Sequence, residues 1–156
     1  MKREWNRGLL TICFAIMIGV SAFGSIFTGS GVKGDWYLGV KPSITPPDWV
    51  FGPVWTILFI LIAFSLYFCW SSAYSMKQRR AVGVLFGFNL VLNALWSFFF
   101  FGLQNSAIAF IDIVLLDISI VWAISLAWRL DRKAAWMLVP YLLWVTFAGV
   151  LNFLAI

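Results

Sequence analysis

Four stretches of the chain carry no charged residue: 8–32, 49–76, 81–111 and 134–156. A helix needs roughly 20 apolar residues, at about 1.5 Å each, to cross a hydrocarbon layer. Every stretch exceeds that length. Within hydrocarbon the backbone must satisfy its own hydrogen bonds, which makes helix the default for each run. The run 81–111 is too long for one crossing, and Gly102-Leu103-Gln104-Asn105-Ser106, a turn-like cluster, follows Phe98-Phe99-Phe100-Phe101 inside it. Dividing the run there yields five helices, at about 8–28, 49–71, 81–102, 106–128 and 134–155; the fourth must carry Asp112 and Asp117. The expected fold is an all-α integral membrane protein, a five-helix bundle forming one domain over 1–156 with a structured loop between the first two helices. Composition agrees: 63% of residues are hydrophobic and 11% charged, against about 45–50% and about 25% in soluble domains. A soluble monomer is excluded, because so small a body cannot hide this much apolar surface. The first run follows Lys2, Arg3 and Arg7 as a signal peptide would. Its core exceeds the 7–15 residues or so of a cleaved h-region, so a retained helix is expected.

Five crossings place the N-terminus, the 72–80 connection and the 129–133 connection on one side. That side holds nine of the eleven basic residues, Lys33 and Lys41 being the other two. The positive-inside rule then sets the N-terminus in the cytoplasm, with the C-terminus and the 29–48 loop opposite. The basic pI, about 9.6, is accounted for by topology and implies lipid, not nucleic acid, as the partner. There is no histidine, which removes the usual acid–base group and the commonest metal and haem ligand. Cys13 and Cys69 lie in apolar runs without a CxxC spacing. No metal site, disulfide framework or resident cofactor is expected.

The 29–48 connection, GSGVKGDWYLGVKPSITPPD, is far longer than the usual 2–8 residue helix link. Pro46-Pro47 suit the first turn of the following helix, where a missing N–H costs nothing. Trp36, Tyr37, Leu38 and Trp49 need a surface to pack on, which favours a lid; an interfacial loop anchored by aromatics is the other reading.

Ten tryptophans exceed what lipid contact alone requires. By depth, Trp5, Trp70, Trp128 and Trp136 fall near the cytoplasmic ends and Trp36 and Trp49 near the outer end, as an aromatic belt would. Trp55, Trp96, Trp122 and Trp144 are deeper; Trp55 is about 9 Å in from the outer end of its helix. Asn89, Asn93 and Trp96 share one helical face, and Tyr141, Trp144 and Ala148 form a stripe on the last helix. Asp112 and Asp117 should face protein or water, or be protonated, and stand about 140° apart around their helix, too far for a carboxylate pair. Two arrangements fit these residues: a pocket in the outer half walled by Trp55, Trp96, Trp144 and Asn93 under the loop, suited to a flat polycyclic ligand, or a filled bundle tied by polar side chains. The small pairs Gly83/Gly87, Ala15/Gly19 and Ser119/Ala123 are read as close helix-packing faces, with Gly83/Gly87 also suited to a dimer partner.

Trp36-Tyr37, Lys41-Pro42-Ser43, Pro46-Pro47-x-Trp49 and Phe51-Gly52-Pro53-Val54-Trp55 resemble the first loop and second helix of the TspO/MBR family. Asn89-x-x-x-Asn93-x-x-Trp96 with Phe100-Phe101-Gly102 resembles its third helix, and Asp112 matches the aspartate of its fourth. Pro140-Tyr141-Leu142-x-Trp144-Val145-x-Phe147-Ala148-x-x-Leu151-Asn152 resembles its fifth. The resemblance implies a five-helix bundle, commonly a homodimer. It implies binding of porphyrins such as protoporphyrin IX, and of benzodiazepine-type and isoquinoline ligands, in the outer half under the first loop. Carried over by motif, the pocket positions are Pro46, Trp49, Trp55, Asn93, Trp96, Trp144, Phe147 and Ala148; Trp36 and Tyr141 join them from the loop and the helix stripe. The chain ends Phe153-Leu154-Ala155-Ile156 without the basic residue of the animal sterol-recognition stretch, so sterol binding is not expected. The implied role is a receptor that binds tetrapyrroles and regulates their transport or a stress signal. The alternatives are light- and oxygen-dependent degradation of protoporphyrin IX, with Trp55 and Trp144 the candidate catalytic side chains, and transport of tetrapyrrole or lipid.

Overall fold

A computed structural model describes residues 5–156; Lys2 and Arg3, two of the basic residues counted above, lie outside them. The helices are α1 (Arg7–Gly31), a short α2 (Asp35–Val40), α3 (Asp48–Ser72), α4 (Met76–Ser97), α5 (Ser106–Leu130) and α6 (Arg132–Leu154). A π-helical turn, Phe98–Gly102, continues α4. All but α2 are long and apolar enough to cross a membrane, and no strand occurs among the described residues. The fold is therefore the expected all-α five-span bundle.

α1, α3, α4 and α6 each start before the charge-free stretch they cover, because charge marks the edge of the hydrocarbon and capping marks the end of a helix. α4 begins at Met76, five residues before the expected 81. The Ser75 hydroxyl accepts the Gln78 N–H at 3.2 Å, and the Gln78 side chain accepts the Ser75 N–H at 3.1 Å, a reciprocal cap. Lys77, Arg79 and Arg80 consequently ride on the first turns of α4, and the expected 72–80 connection shrinks to 73–75. At the other end of α4, Gln104 takes a left-handed φ of 51°, and the Asn105 side chain then accepts the Ile108 N–H at 3.0 Å to start α5. α1 reaches Gly31, so the connection to α3 spans 32–47 and contains α2.

α1 packs between α3 and α4, α3 against α6, α6 against α5, and α5 against α4, closing a ring. In the half that holds the start of α1 the ring is filled by Cys13, Met17, Ile62, Tyr67, Val82, Phe86, Ile120 and Leu138. Buried Ala63, Ala123, Ala127, Ala134 and Ala135 let the backbones approach there. α3 and α6 come close enough for the Ser65 hydroxyl to donate to the Ala134 carbonyl at 2.9 Å. Of the small pairs, Ser119/Ala123 is buried between helices as expected. Gly83/Gly87 and Ala15/Gly19 are not: all four are exposed, and a Cβ on Gly19 or Gly87 would meet nothing within 4 Å. Of the three glycines only Gly83 has a neighbour on another helix, Trp70 of α3, 3.5 Å from where its Cβ would lie, so the expected close packing within the chain is corrected for Gly87 and the Ala15/Gly19 pair.

Candidate functional site

The far half of the ring encloses a cavity of about 440 Å³, within the roughly 300–1,000 Å³ of small-molecule sites. α1 contributes small residues, Ser21, Gly24, Ser25 and Thr28, at spacings that keep them on one face. The Ser25 and Thr28 hydroxyls donate to carbonyls of their own helix, at 2.9 and 3.0 Å, leaving a smooth wall. α3 contributes Phe51, Gly52, Trp55, Thr56 and Phe59; α4, Asn93 and Trp96; α6, Trp144, Val145 and Ala148.

Two local features close the end of the cavity. The π turn adds a residue to the last turn of α4 and places Phe100 and Phe101 inward, both buried. Phe100 stacks on Trp96 (5.1 Å between centroids, 14° between planes), and Tyr37 of α2 meets Phe101 edge-on at 5.4 Å. Gly31 sits against this cluster so closely that a Cβ would lie 2.5–2.8 Å from Phe101; only glycine allows the approach. Beyond α2, the Lys41 ammonium meets the Asp48 carboxylate at 2.6 Å and lies 5.4 Å from the centre of the Tyr37 ring. Asp48 holds the Lys41 ammonium above the usual lysine range, and burial pushes the Tyr37 phenol up.

Behind the wall runs a polar relay across three helices. Asn93 donates through Nδ2 to the Tyr141 hydroxyl at 3.0 Å, which donates to Asn89 Oδ1 at 3.2 Å. Asn89 Nδ2 donates to the Ser119 hydroxyl, and that hydroxyl to the Leu116 carbonyl, both at 2.7 Å. A second chain fixes Trp96, whose indole N–H donates to Asn152 Oδ1 at 2.9 Å while Asn152 Nδ2 donates to the Ser106 carbonyl at 2.8 Å. Trp144 Nε1 and Thr45 Oγ1 are buried at the cavity and have no protein partner.

Of the ten candidate residues, Trp55, Asn93, Trp96, Trp144 and Ala148 line the cavity together. The other five stand apart from its surface. Tyr141 is 1% exposed and lies behind Asn93, its ring 6.3 Å from that of Trp55. Phe147 backs Trp144 at 5.8 Å, and Trp36 covers Phe100 from the loop at 5.3 Å. Pro46 is half-buried in the loop, where the neighbouring lining residues are Pro42 and Thr45. Trp49 is 75% exposed and faces outward. Among the four deep tryptophans, Trp122 is 60% exposed on the outer face of α5 and has no part in the cavity. Asp112 is buried in protein with Oδ2 unpartnered, and Asp117 accepts from the Thr146 hydroxyl at 3.2 Å in a shallow groove between α5 and α6. The sequence reading missed the α1 wall, whose signal was the spacing Ser21, Ser25, Thr28. It also missed Phe100 and Phe101 as lining, which depends on the π turn, and Thr45 and Asn152.

Together these features define a polytopic helical membrane protein with an aromatic ligand cavity enclosed in one half of the bundle. The sequence model of the TspO/MBR family matches residues 11–155, and the chain belongs to that family. It is 43% identical over 138 residues to the Tryptophan-rich protein TspO of Archaeoglobus fulgidus, covering 88% of each chain. It is 41% identical over 152 residues to that of Chlorobaculum tepidum, covering 95% of each. The Translocator protein of Homo sapiens is 35% identical over 134 residues, 83% of this chain and 78% of the human one.

Proposed function

We propose that this protein binds flat polycyclic ligands of the protoporphyrin IX type in the cavity, and that occupancy regulates tetrapyrrole transport or a stress signal. The observation that carries the reading is the wall itself: Trp55, Trp96, Trp144, Phe100 and Phe101 line one space, with isolated amides and hydroxyls among them and a single carboxylate, Asp48, at the loop end. Large aromatic faces with few polar groups select flat apolar ligands. Such a lining has the make-up of a binding site, so the protein is read as a receptor. Benzodiazepine-type compounds, flat and weakly polar, meet the same requirements. The charge asymmetry supports a cytoplasmic N-terminus, which sets the cavity in the opposite half of the membrane. Exposed Val84, Phe88 and Val91 beside Gly83 and Gly87 on α4 support a homodimer seated on that face.

Titration with protoporphyrin IX should quench tryptophan fluorescence with a saturable isotherm. Trp55→Ala or Trp144→Phe should weaken binding, the former about tenfold or more, through the lost aromatic contact area. Quenching that does not saturate, or that ignores both changes, would sink the reading. Under illumination the bound porphyrin should lose its main absorption band no faster than free porphyrin; faster loss would turn the receptor into an enzyme.

A further inference from the structure

The relay behind the wall decides which end of the Asn93 amide the cavity meets. Its last link is a backbone carbonyl, which can only accept. Ser119 must therefore spend its single proton on Leu116 (2.7 Å) and accept from Asn89 Nδ2. Asn89 then turns Oδ1 to Tyr141, which spends its own proton there (3.2 Å) and accepts from Asn93 Nδ2 (3.0 Å). Each step follows from counting protons. One of the two Asn93 Nδ2 protons is thus committed to Tyr141 behind the wall, and the carbonyl oxygen at the other end of the amide is left for the cavity that Asn93 lines. Trp144 lies three residues beyond Tyr141, about 4.5 Å further along α6 toward the loop. Its Nε1 and the Thr45 hydroxyl are buried without partners.

We infer that the cavity is polar along its length. Asn93 offers an acceptor at the deep end, with Tyr141, Asn89 and Ser119 as positioning residues, and Trp144 and Thr45 offer donors toward the loop. The ligand class is a flat apolar molecule with an N–H or O–H on one edge and a carbonyl or carboxylate oxygen on the other. Unpaired buried polar groups are costly, so a ligand that satisfies both ends gains over one of equal shape that satisfies neither. This rests on the cavity being a ligand site, as proposed above.

The test uses the full chain in nanodiscs, with empty nanodiscs correcting for partitioning, and three pyrenes of similar shape followed by energy transfer from tryptophan. In the wild type 1-aminopyrene, a donor, should bind about 3- to 10-fold more tightly than 1-methylpyrene. Tyr141→Phe and Ser119→Ala should bring that ratio toward one while 1-methylpyrene binds as before, a result a merely structural role would not produce. Ser119→Ala, remote from the cavity, carries the test if Tyr141→Phe disturbs 1-methylpyrene binding. Pyrene-1-carbaldehyde, an acceptor, should also outbind 1-methylpyrene, and this gain should vanish in Trp144→Phe but survive Ser119→Ala. A wild-type amine ratio of one, or a ratio that both relay variants leave intact, overturns the relay. An aldehyde gain unaffected by Trp144→Phe overturns the loop-side donors. Saturable 1-methylpyrene binding with either of those results leaves the ligand site standing; no pyrene binding at all takes down both.

Discussion

Between Arg7 and Met17, α1 is held in a filled bundle; from Val20 to Thr28 the same helix faces a cavity. α6 divides likewise, from Ala134, fully buried against α3, to Ala148, which lines the cavity. The two halves share five helices and one topology, and differ in what their small residues do. In the filled half, alanines let backbones close on one another, as Ser65 shows by reaching the Ala134 carbonyl. In the open half, serine, threonine and glycine on α1 oppose large aromatics on α3, α4 and α6, and these are braced from behind, Trp96 by its hydrogen bond to Asn152 and Trp55 and Trp144 by the rings of Tyr141 and Phe147. Small residues opposite small residues close a bundle, whereas small residues opposite braced large ones hold it open.

The sharpest way to break this contrast is one substitution made in both halves of α6, 14 residues or about four turns apart. Ala134→Leu should cost about 1–3 kcal/mol, since neither α3 nor α6 can give way without breaking the Ser65 contact. A lowered unfolding midpoint in detergent would register it. Ala148→Leu should leave that midpoint within about 0.5 kcal/mol of wild type, yet weaken porphyrin binding by occupying the cavity. Equal destabilisation by both would show that the two halves are packed alike.

A smaller and more local effect is expected at Gly31. Gly31→Ala drives a Cβ into Phe101, including its Cβ at 2.7 Å, so the roof must shift, at about 1–2 kcal/mol. Hydrogen exchange should rise across residues 32–41 and stay unchanged at the start of α1. Protection unchanged at both places would mean that Phe101 does not anchor the loop. Trp122→Ala, as deep in sequence as the cavity tryptophans but facing outward, should leave porphyrin affinity unaltered; a loss would move the site to the outer face of α5.

The same contrast explains what was legible in the sequence. Charge-free runs gave the crossings, because burying charge in hydrocarbon is prohibitive wherever it occurs. Trp55, Asn93, Trp96 and Trp144 could be placed at one depth from helical rise alone. Depth does not fix direction around the helix axis: by depth alone Trp122 groups with them and Tyr141 falls on the ligand side of Asn93, whereas Trp122 faces outward and Tyr141 is buried behind Asn93. Gly83 and Gly87 read as a packing face for a similar reason: spacing shows that two residues share a face, and only the neighbours show what it meets. The roof was least legible, since Phe100 and Phe101 turn inward through a π turn set by how α4 ends.

The weakest effect expected is at the Lys41–Asp48 pair, which joins the end of α2 to the start of α3 across the Pro42–Pro47 turn. The side chains are 24% and 54% exposed, and a pair so open to water is worth about 0.2–1 kcal/mol. It still bears on the cavity, because Tyr37 beneath Lys41 and Asp48 itself both line it. Lys41→Met keeps the apolar stem and removes the charge, so ligand release should quicken by up to about fivefold with global stability unchanged. The pH dependence has a definite sign. Asp48 raises the Lys41 pKa in the folded protein, so the pair's contribution is complete below the usual lysine value of about 10.4 and is lost as pH climbs through the raised one. Release should therefore be flat between pH 7 and 9, quicken only above that range, and quicken at neutral pH in high salt. In Lys41→Met it should be fast throughout and indifferent to salt. A variant with wild-type release, or a wild type that quickens between pH 7 and 9, would show that packing of Tyr37 and Trp36 on the π turn holds the lid without help from the ion pair.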